Sequence, residues 1–264
     1  MTLLETLLIN QFATFTLVLA RVGALVMSAP IFSSAAIPLQ ARAFLVVSIS
    51  LLISPLVAIH PPADMTHLII YGKYLASEAL VGLLLGFGIT LFLSGIQVTG
   101  QIVSQLGGTA VAEVFDPTAN SNVSIYSQLF YFLTLTMFVL LDGHRLVMDA
   151  LLDTYHTIPP GRASLGSTYV EALTTLLSQS FMLGLRAAAP AMTALLLATL
   201  VLGLVGRTMP QINILAVGFG LNALLTLGCL FTSLGAVAWA FPQQTTAALE
   251  LIKETLRQSV SPLL

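Results

Sequence analysis

Apolar runs with at most one charged residue fill most of this chain and are separated by short polar turns. Six runs are long enough to be candidate membrane spans, and they lie near residues 12–29, 43–59, 79–99, 125–141, 187–206 and 212–238. A membrane-spanning helix needs about 20 predominantly apolar residues. The pattern therefore predicts an all-α, polytopic helical membrane protein with about six apolar spans, in which residues 1–264 form a single helical membrane domain.

One apolar run is too long to be a simple span. Residues 79–112 carry no charge over 34 positions, and one helix of that length would extend about 51 Å, past a hydrocarbon core about 30 Å thick. The excess must leave the lipid, bend, or line a space that protein encloses. The glycines at positions 82, 86, 88 and 95 fit close helix packing. Gly107 and Gly108 fit that explanation poorly, because the helical pattern stops after them.

Composition supports the membrane assignment. Hydrophobic residues make up 57% of the chain and charged residues 8%, against roughly 25% charged residues in an ordinary soluble domain. A soluble fold of this size could not hide so much apolar surface and still present a charged exterior. The formal net charge of −2 gives no electrostatic basis for a nucleic-acid partner.

Arg21 lies in the middle of the first apolar run, and Pro30, Pro38 and Arg42 follow it. A charge inside a span must face an opposite charge, a backbone carbonyl or water. We interpret Arg21 as an interhelical anchor, and the alternative is a role in transport.

The segment from Gly107 to Pro117 combines flexibility with apolar bulk. Two glycines begin it, an Asp-Pro pair ends it, and apolar side chains lie among its acids, namely Val111, Val114 and Phe115 beside Glu113 and Asp116. Irregular apolar backbone near a membrane is tolerated only where protein or a cavity surrounds it. We therefore expect this segment to fold back into the protein.

Asp142, Gly143 and His144 follow the fourth run. Asp142 is expected to cap the next helix with its carboxylate. That helix should present one polar face opposite an apolar one; the polar face comprises Asp142, Arg145, Asp149 and Asp153, and the apolar face Leu146, Val147, Ala150 and Leu151. A proton relay through Asp142 and His144 is the alternative.

A second polar turn, Arg207 to Asn213, separates two runs that are each long enough to cross a bilayer, which predicts a helical hairpin. No catalytic, phosphate-binding or metal-binding motif occurs in the sequence, and the four histidines lack metal-ligand spacing. We therefore expect no enzymatic activity, no cofactor and no metal.

Taken together, these blocks resemble the FliR family, a subunit of the flagellar type III protein export gate. The blocks that carry the resemblance follow the family order: Arg21 with Pro30, Pro38 and Arg42; Gly107 to Pro117; Asp142, Gly143 and His144; and Arg207, Pro210, Gln211 and Asn213 with Gly218 and Phe219. The chain departs from the family at Gly220, where members often carry proline.

The resemblance implies a place in a helical assembly of the bacterial inner (plasma) membrane, within the flagellar basal body. FliP and FliQ would enclose with it a pore for exported unfolded flagellar proteins, and FlhB and FlhA would associate. Residues 1–186 would be a FliP-like part and residues 187–264 a FliQ-like hairpin and tail. Gly107–Pro117 would plug the closed pore, and the other matched residues would serve structure or subunit contacts.

Two alternatives to this reading stay open from the sequence. Export subunits of injectisomes are homologous to the flagellar ones and share their architecture. A secondary transporter would also be helical and glycine-rich, but it should carry paired broken helices in two repeated halves, which this sequence lacks.

Overall fold

The computed structural model describes residues 3–33, 37–57, 68–108, 124–160, 167–209, 211 and 214–258. This described part consists of seven α-helices with connecting turns and contains no strand, so the all-α prediction is confirmed. The helices are α1 (Leu3–Ser28), α2 (Leu39–Ile53), α3 (Leu68–Gly107), α4 (Ile125–Leu140), α5 (Gly143–Thr157), α6 (Ser167–Thr208) and α7 (Ile214–Gln258).

Four stretches are long and apolar enough to cross a membrane: Asn10–Ser28, Leu68–Gly107, Leu173–Thr208 and Val217–Glu254. A fifth crossing exists if α4 and α5, which are bent by 66° to one another, count as one span. The polytopic helical class is confirmed. The described residues give four or five spans rather than six, because the apolar run near 43–59 forms only the 15-residue α2.

Three helices are much longer than a bilayer requires. α3, α6 and α7 contain 40, 42 and 45 residues, which correspond to about 60 Å or more each at 1.5 Å per residue. The expected excess length of α3 is therefore present, and this helix stays continuous as far as Gly107. α6 and α7 also continue through an internal proline, Pro190 and Pro242 respectively.

The chain forms two compact units. The first comprises residues 1–91, 142–176 and 245–264. Within it α1 and α3 approach closely at two glycines, because a Cβ at Gly82 would overlap the backbone of Arg21 and one at Gly86 would overlap Ser28. The hydroxyl of Thr90 donates to the carbonyl of Ser28 at 2.8 Å, so the contact is also hydrogen-bonded.

The second unit comprises residues 92–141 and 177–244. Here α3 and α6 meet backbone to backbone, because a Cβ at Gly184 would overlap the carbonyl of Gly95. The Thr99 hydroxyl donates to the carbonyl of Gly184 at 2.9 Å. Small residues allow this approach, and the hydroxyl adds a hydrogen bond between the two helices.

Candidate functional site

A buried ion pair joins α1 and α3 in the first unit. Arg21 and Glu78 are both fully buried, and the Arg21 Nε and Nη2 atoms each lie 2.7 Å from Glu78 Oε2. Both charges are desolvated, so each depends on the other for compensation. The cation that the sequence places in the middle of the first apolar run is thus matched by an anion.

Helix α5 completes the surroundings of Arg21. The Arg21 Nη1 donates to the hydroxyl of Thr154 at 3.0 Å, and the Arg21 Nη2 donates to the carbonyl of Ile158, the residue directly after α5, at 3.1 Å. The Tyr155 ring lies beneath the guanidinium, with 4.4 Å between Cζ and the ring centroid, a favourable arrangement for a cation on an aromatic face. Arg21 therefore links three helices.

The sequence analysis missed the partners of Arg21, which are Glu78, Thr154, Tyr155 and Ile158. A signal for one of them was present, because Glu78 is the single acidic residue of α3. A buried arginine requires an anion, and an acid at the start of a long uncharged run is the natural candidate. Nothing in the local sequence marks the other three.

The turn between α1 and α2 contains two of the predicted structural prolines. Pro30 is buried directly after α1, and Pro38 is the residue before α2, with φ −57° and ψ 144°. The Pro38 carbonyl accepts from the backbone N–H of Arg42 at 3.2 Å, which closes the first turn of α2. Arg42 itself is half-buried.

The proposed plug segment begins at a well-packed helix end. Gly107 contacts the Thr226 side chain of α7, so a Cβ there would overlap it, and Gly107 therefore has the packing role that we assigned only to the earlier glycines. Gly108 then adopts the left-handed conformation with φ +78°, which ends the helix in the manner that favours glycine. Val111, Val114, Phe115, Asp116 and Pro117 lie outside the described residues.

Asp142 directs the bend between α4 and α5. It adopts the left-handed conformation with φ 55° and ψ 28°, and its side chain makes no capping hydrogen bond. The predicted carboxylate cap is therefore wrong, because capping by a side chain requires an extended backbone at this position. The backbone carbonyl of Asp142 instead accepts from the N–H groups of Arg145 and Leu146 at 2.9 and 3.0 Å.

The polar face predicted for α5 is present. Its exposed residues are Asp142, Arg145, Asp149 and Asp153, with His144 exposed beside them. The Lys253 Nζ atom lies 2.6 Å from Asp153 Oδ2. On the opposite face Val147, Ala150 and Leu151 are buried in the first unit, and Leu146 is half-buried.

The tip of the predicted hairpin lies between Thr208, where α6 ends, and Ile214, where α7 begins. Arg207 and Gln211 are exposed, whereas Pro210 and Asn213 lie outside the described residues. Gly218 is buried next to Leu202, and Phe219 is 60% exposed.

Both helices of this hairpin carry exposed apolar faces. On α6 and α7 the exposed large side chains include Leu196, Leu197, Leu200, Val201, Leu204, Phe219, Leu224, Phe231 and Trp239. Lipid or protein must cover a surface of this kind, since contiguous apolar patches of a few hundred Å² are rare on surfaces that face water. Arg186 on α6 is also exposed, so it is not enclosed within this chain as Arg21 is.

No group of three or more histidine, cysteine or acidic side chains that could hold a metal ion occurs within the described ranges.

Comparison with known proteins identifies the family. A sequence model of the family described as bacterial export proteins, family 1, matches residues 12–248. The chain belongs to this family. It is 33% identical over 211 residues to the flagellar biosynthetic protein FliR of Escherichia coli (strain K12), which covers 80% of this chain and 79% of that protein.

Other relatives agree with this result. The chain is 30% identical over 251 residues to the flagellar biosynthetic protein FliR of Caulobacter vibrioides, covering 92% of this chain and 99% of that protein. The FliR of Bacillus subtilis is 24% identical over 233 residues. The resemblance to the FliR family is confirmed, and the chain is a membrane-embedded component of the flagellar export apparatus. Its family consists of structural export proteins and not of known enzymes.

Proposed function

We propose that this chain is a structural and gating subunit of the flagellar type III export gate in the bacterial inner membrane. It forms, with FliP and FliQ, the pore through which unfolded flagellar proteins leave the cytoplasm, and FlhB and FlhA associate with that assembly in the basal body. Membership of the flagellar FliR family supports the assignment to the flagellar export apparatus. The distribution of exposed apolar and polar side chains supports the proposed role as a subunit that packs against other helical proteins.

The exposed apolar faces of α6 and α7 are the observation that carries this proposal. Leu200, Leu224 and Trp239 are each exposed by 66% or more, yet the hairpin ends in the exposed polar residues Arg207 and Gln211. Helical neighbours can cover the apolar flanks and pair with the polar tip at once, whereas lipid alone would leave the tip to water and headgroups. We assign residues 187–264 to a FliQ-like part that packs beside FliQ, and residues 1–186 to a FliP-like part.

The gate in this proposal is the Gly107–Pro117 segment. Its two flanking ends are held within the second unit: Gly107 packs on Thr226, and Ser124 caps α4 by accepting from the Ser127 N–H at 3.1 Å. Val111, Val114 and Phe115 supply the bulk of a hydrophobic constriction, which excludes water and ions by dewetting.

Deleting the gene tests membership of the export gate. The deletion strain should be non-motile and should secrete no flagellar subunits, and the intact gene supplied on a plasmid should restore both. A deletion strain that swims normally would contradict the proposal.

Shortening the segment tests the gate itself. A variant that lacks residues 109–114 should still co-purify with FliP and FliQ, but it should let small ions or dyes leak across the membrane, because the constriction is gone. If the shortened variant assembles normally and leaks no more than the parent, this segment is an ordinary connector.

Arg207→Ala tests the hairpin tip, and Arg145→Ala is the matched control, since Arg145 is an exposed cation on α5. Arg207→Ala should reduce co-purification with FliQ or FlhB, whereas the control should leave it unchanged. Equal co-purification of both variants would show that the tip is simply solvated.

A further inference from the structure

A strip of three glutamines lies along the second half of α3. Gln97, Gln101 and Gln105 follow one another at intervals of four residues, which places them one above another on one side of the helix. Gln97 and Gln101 are half-buried, and Gln105 is exposed. Across residues 79–89 of the same helix the exposed side chains are apolar instead, namely Leu80, Leu83 and Phe87. The surface that α3 presents therefore changes from apolar to polar along its length.

Helices α4 and α6 border this glutamine strip on its two sides. A Cβ at Gly100 would overlap the backbone of Ser127 on α4, and one at Gly95 would overlap the backbone of Ser180 on α6. At about 100° per residue, the two glycines lie about 140° apart around α3, and the strip occupies the remaining sector. The Oε1 atom of Gln101 accepts from the Ser127 hydroxyl at 3.2 Å, which leaves its two N–H groups for water or a ligand.

The chemistry of the glutamine strip argues against hydrocarbon and against phosphate. A side-chain amide is strongly disfavoured in hydrocarbon unless it finds a hydrogen-bond partner, and here three amides lie in line. A phosphate group is bound most strongly by cationic side chains, but residues 79–112 carry no charge. Long glutamine side chains also hold a second helix backbone away, whereas α3 meets α4 and α6 at glycines. The strip therefore suits water and a polar ligand without a required charge.

We propose that Gln97, Gln101 and Gln105 form a contact strip for the polypeptide that is exported. This inference rests on the proposed function, in which an unfolded chain passes this subunit. Such a chain exposes an N–H and a C=O group at nearly every residue, and a primary amide can donate to one and accept from the other. Because the amides are neutral, they retain neither acidic nor basic segments. The strip is about 12 Å long, which matches about four residues of extended chain.

The glutamine strip also leads to the segment that we propose as the gate. Gln105 lies two residues before Gly107, where α3 ends, and its carbonyl accepts from the N–H of Gly108 at 3.4 Å. A polypeptide on the strip is thus beside the start of the Gly107–Pro117 segment. In a narrow pore the backbone of the exported chain loses water, and successive amides replace part of that water as the chain moves.

Site-specific photocrosslinking in cells tests the strip. The photoreactive residue p-benzoyl-phenylalanine replaces Gln101 or Gln105 in the full-length protein, and a flagellar subunit fused to a stable folded domain is stalled during export. Illumination should crosslink both positions to the stalled subunit. Leu83 is the matched control, since it lies on α3 outside the strip and is 41% exposed, and the photoreactive residue there should not reach the substrate. The same residue at Phe115 reports whether the substrate reaches this subunit at all.

The outcomes separate the strip from the proposed function. If Phe115 crosslinks to the stalled subunit while Gln101 and Gln105 do not, the strip is overturned and the pore role stands. If none of these positions, Phe115 included, reaches the substrate, both are overturned. Crosslinks from Gln101 to a neighbouring gate subunit that are equal with and without a stalled substrate would overturn the strip in favour of a subunit interface.

Secretion provides a second test. Gln97→Leu, Gln101→Leu and Gln105→Leu combined should lower secretion of flagellar subunits about tenfold, because the passing backbone loses hydrogen-bond partners, while co-purification with FliP and FliQ stays intact. Asparagine at the same three positions keeps the amides and should restore secretion to within about twofold of the parent. Thr136→Leu is the control on α4, where the exposed hydroxyl bonds to a carbonyl of its own helix, and it should secrete like the parent. If the three leucine substitutions leave both assembly and secretion unchanged, the proposal is wrong.

Discussion

The two compact units bury polar groups of different kinds. The first unit encloses an arginine and a glutamate, both fully buried, at the junction of α1, α3 and α5. In the described part of the second unit the buried polar side chains are all hydroxyls, such as Thr99, Ser127 and Thr226. An ion pair concentrates its interaction energy in one geometry, whereas hydroxyls and glycines spread it over many weak contacts. We therefore expect single substitutions to lower the stability of the first unit more than that of the second.

The largest expected effect comes from breaking the pair in the first unit. Arg21→Met leaves Glu78 without its cation and should destabilise the protein by about 3–5 kcal/mol. The double variant Arg21→Met with Glu78→Leu removes both charges and should recover most of that loss. Chemical unfolding of the purified protein in detergent measures both, and a double variant that is no more stable than the single one would refute the pairing argument.

Close backbone packing in the second unit should give the next largest effect. Gly184→Ala places a methyl group against the carbonyl of Gly95 and should cost about 1–3 kcal/mol. Gly203→Ala on the same helix meets nothing within 4 Å, and it should be neutral or stabilising by up to about 1 kcal/mol, because alanine favours a helix more than glycine does. If the two substitutions change the free energy of unfolding with opposite signs in the same assay, the close contact is at Gly184. Equal changes would argue against this contact.

A single hydroxyl in the second unit should matter less. Thr99→Val removes the bond to the Gly184 carbonyl and should cost about 0.6 kcal/mol, the average for hydrogen bonds between membrane helices. Thr136→Val is the control, since the Thr136 hydroxyl bonds only within its own helix and is exposed. A loss for Thr99→Val as large as that for Arg21→Met would remove the contrast between the units.

The smallest effect is expected at the exposed ion pair of the first unit. Lys253 and Asp153 lie 2.6 Å apart, but their side chains are 31% and 54% exposed. Solvent screens such a pair, so Lys253→Ala should change stability by less than about 1 kcal/mol. The same assay with added salt checks this, because salt weakens an exposed pair and leaves the buried one nearly unaffected.

The sequence predicts the part of this molecule that depends on local pattern. Apolar runs predict the helices, and the lone cation in the first run predicts an anchor at Arg21. Glu78 could have been inferred as its partner, but Thr154 and Ile158 could not, because a contact over more than 130 positions leaves no local trace.

The errors have physical causes as well. Asp142 is a residue type that caps helices, yet at the 66° bend it adopts a left-handed conformation. Its backbone carbonyl, and not its carboxylate, accepts hydrogen bonds from the first turn of α5. Gly107 is predicted as part of a flexible segment, but it is the last residue of α3 and packs against Thr226 of a helix more than 100 residues later. Tertiary packing decides both positions, and sequence pattern describes only neighbours along the chain.

The long separation between Arg21 and its partners has a consequence for synthesis. Glu78 follows Arg21 by 57 residues and Ile158 by 137. At about 5–20 residues per second, α1 exists for about 3–11 s before its anion is made and about 7–27 s before the last acceptor is made. Until Glu78 is made, the new helix carries an uncompensated cation, so Arg21 must stay hydrated at the membrane surface or in the insertion machinery. α1 can therefore reach its final packed position only late in synthesis of the chain.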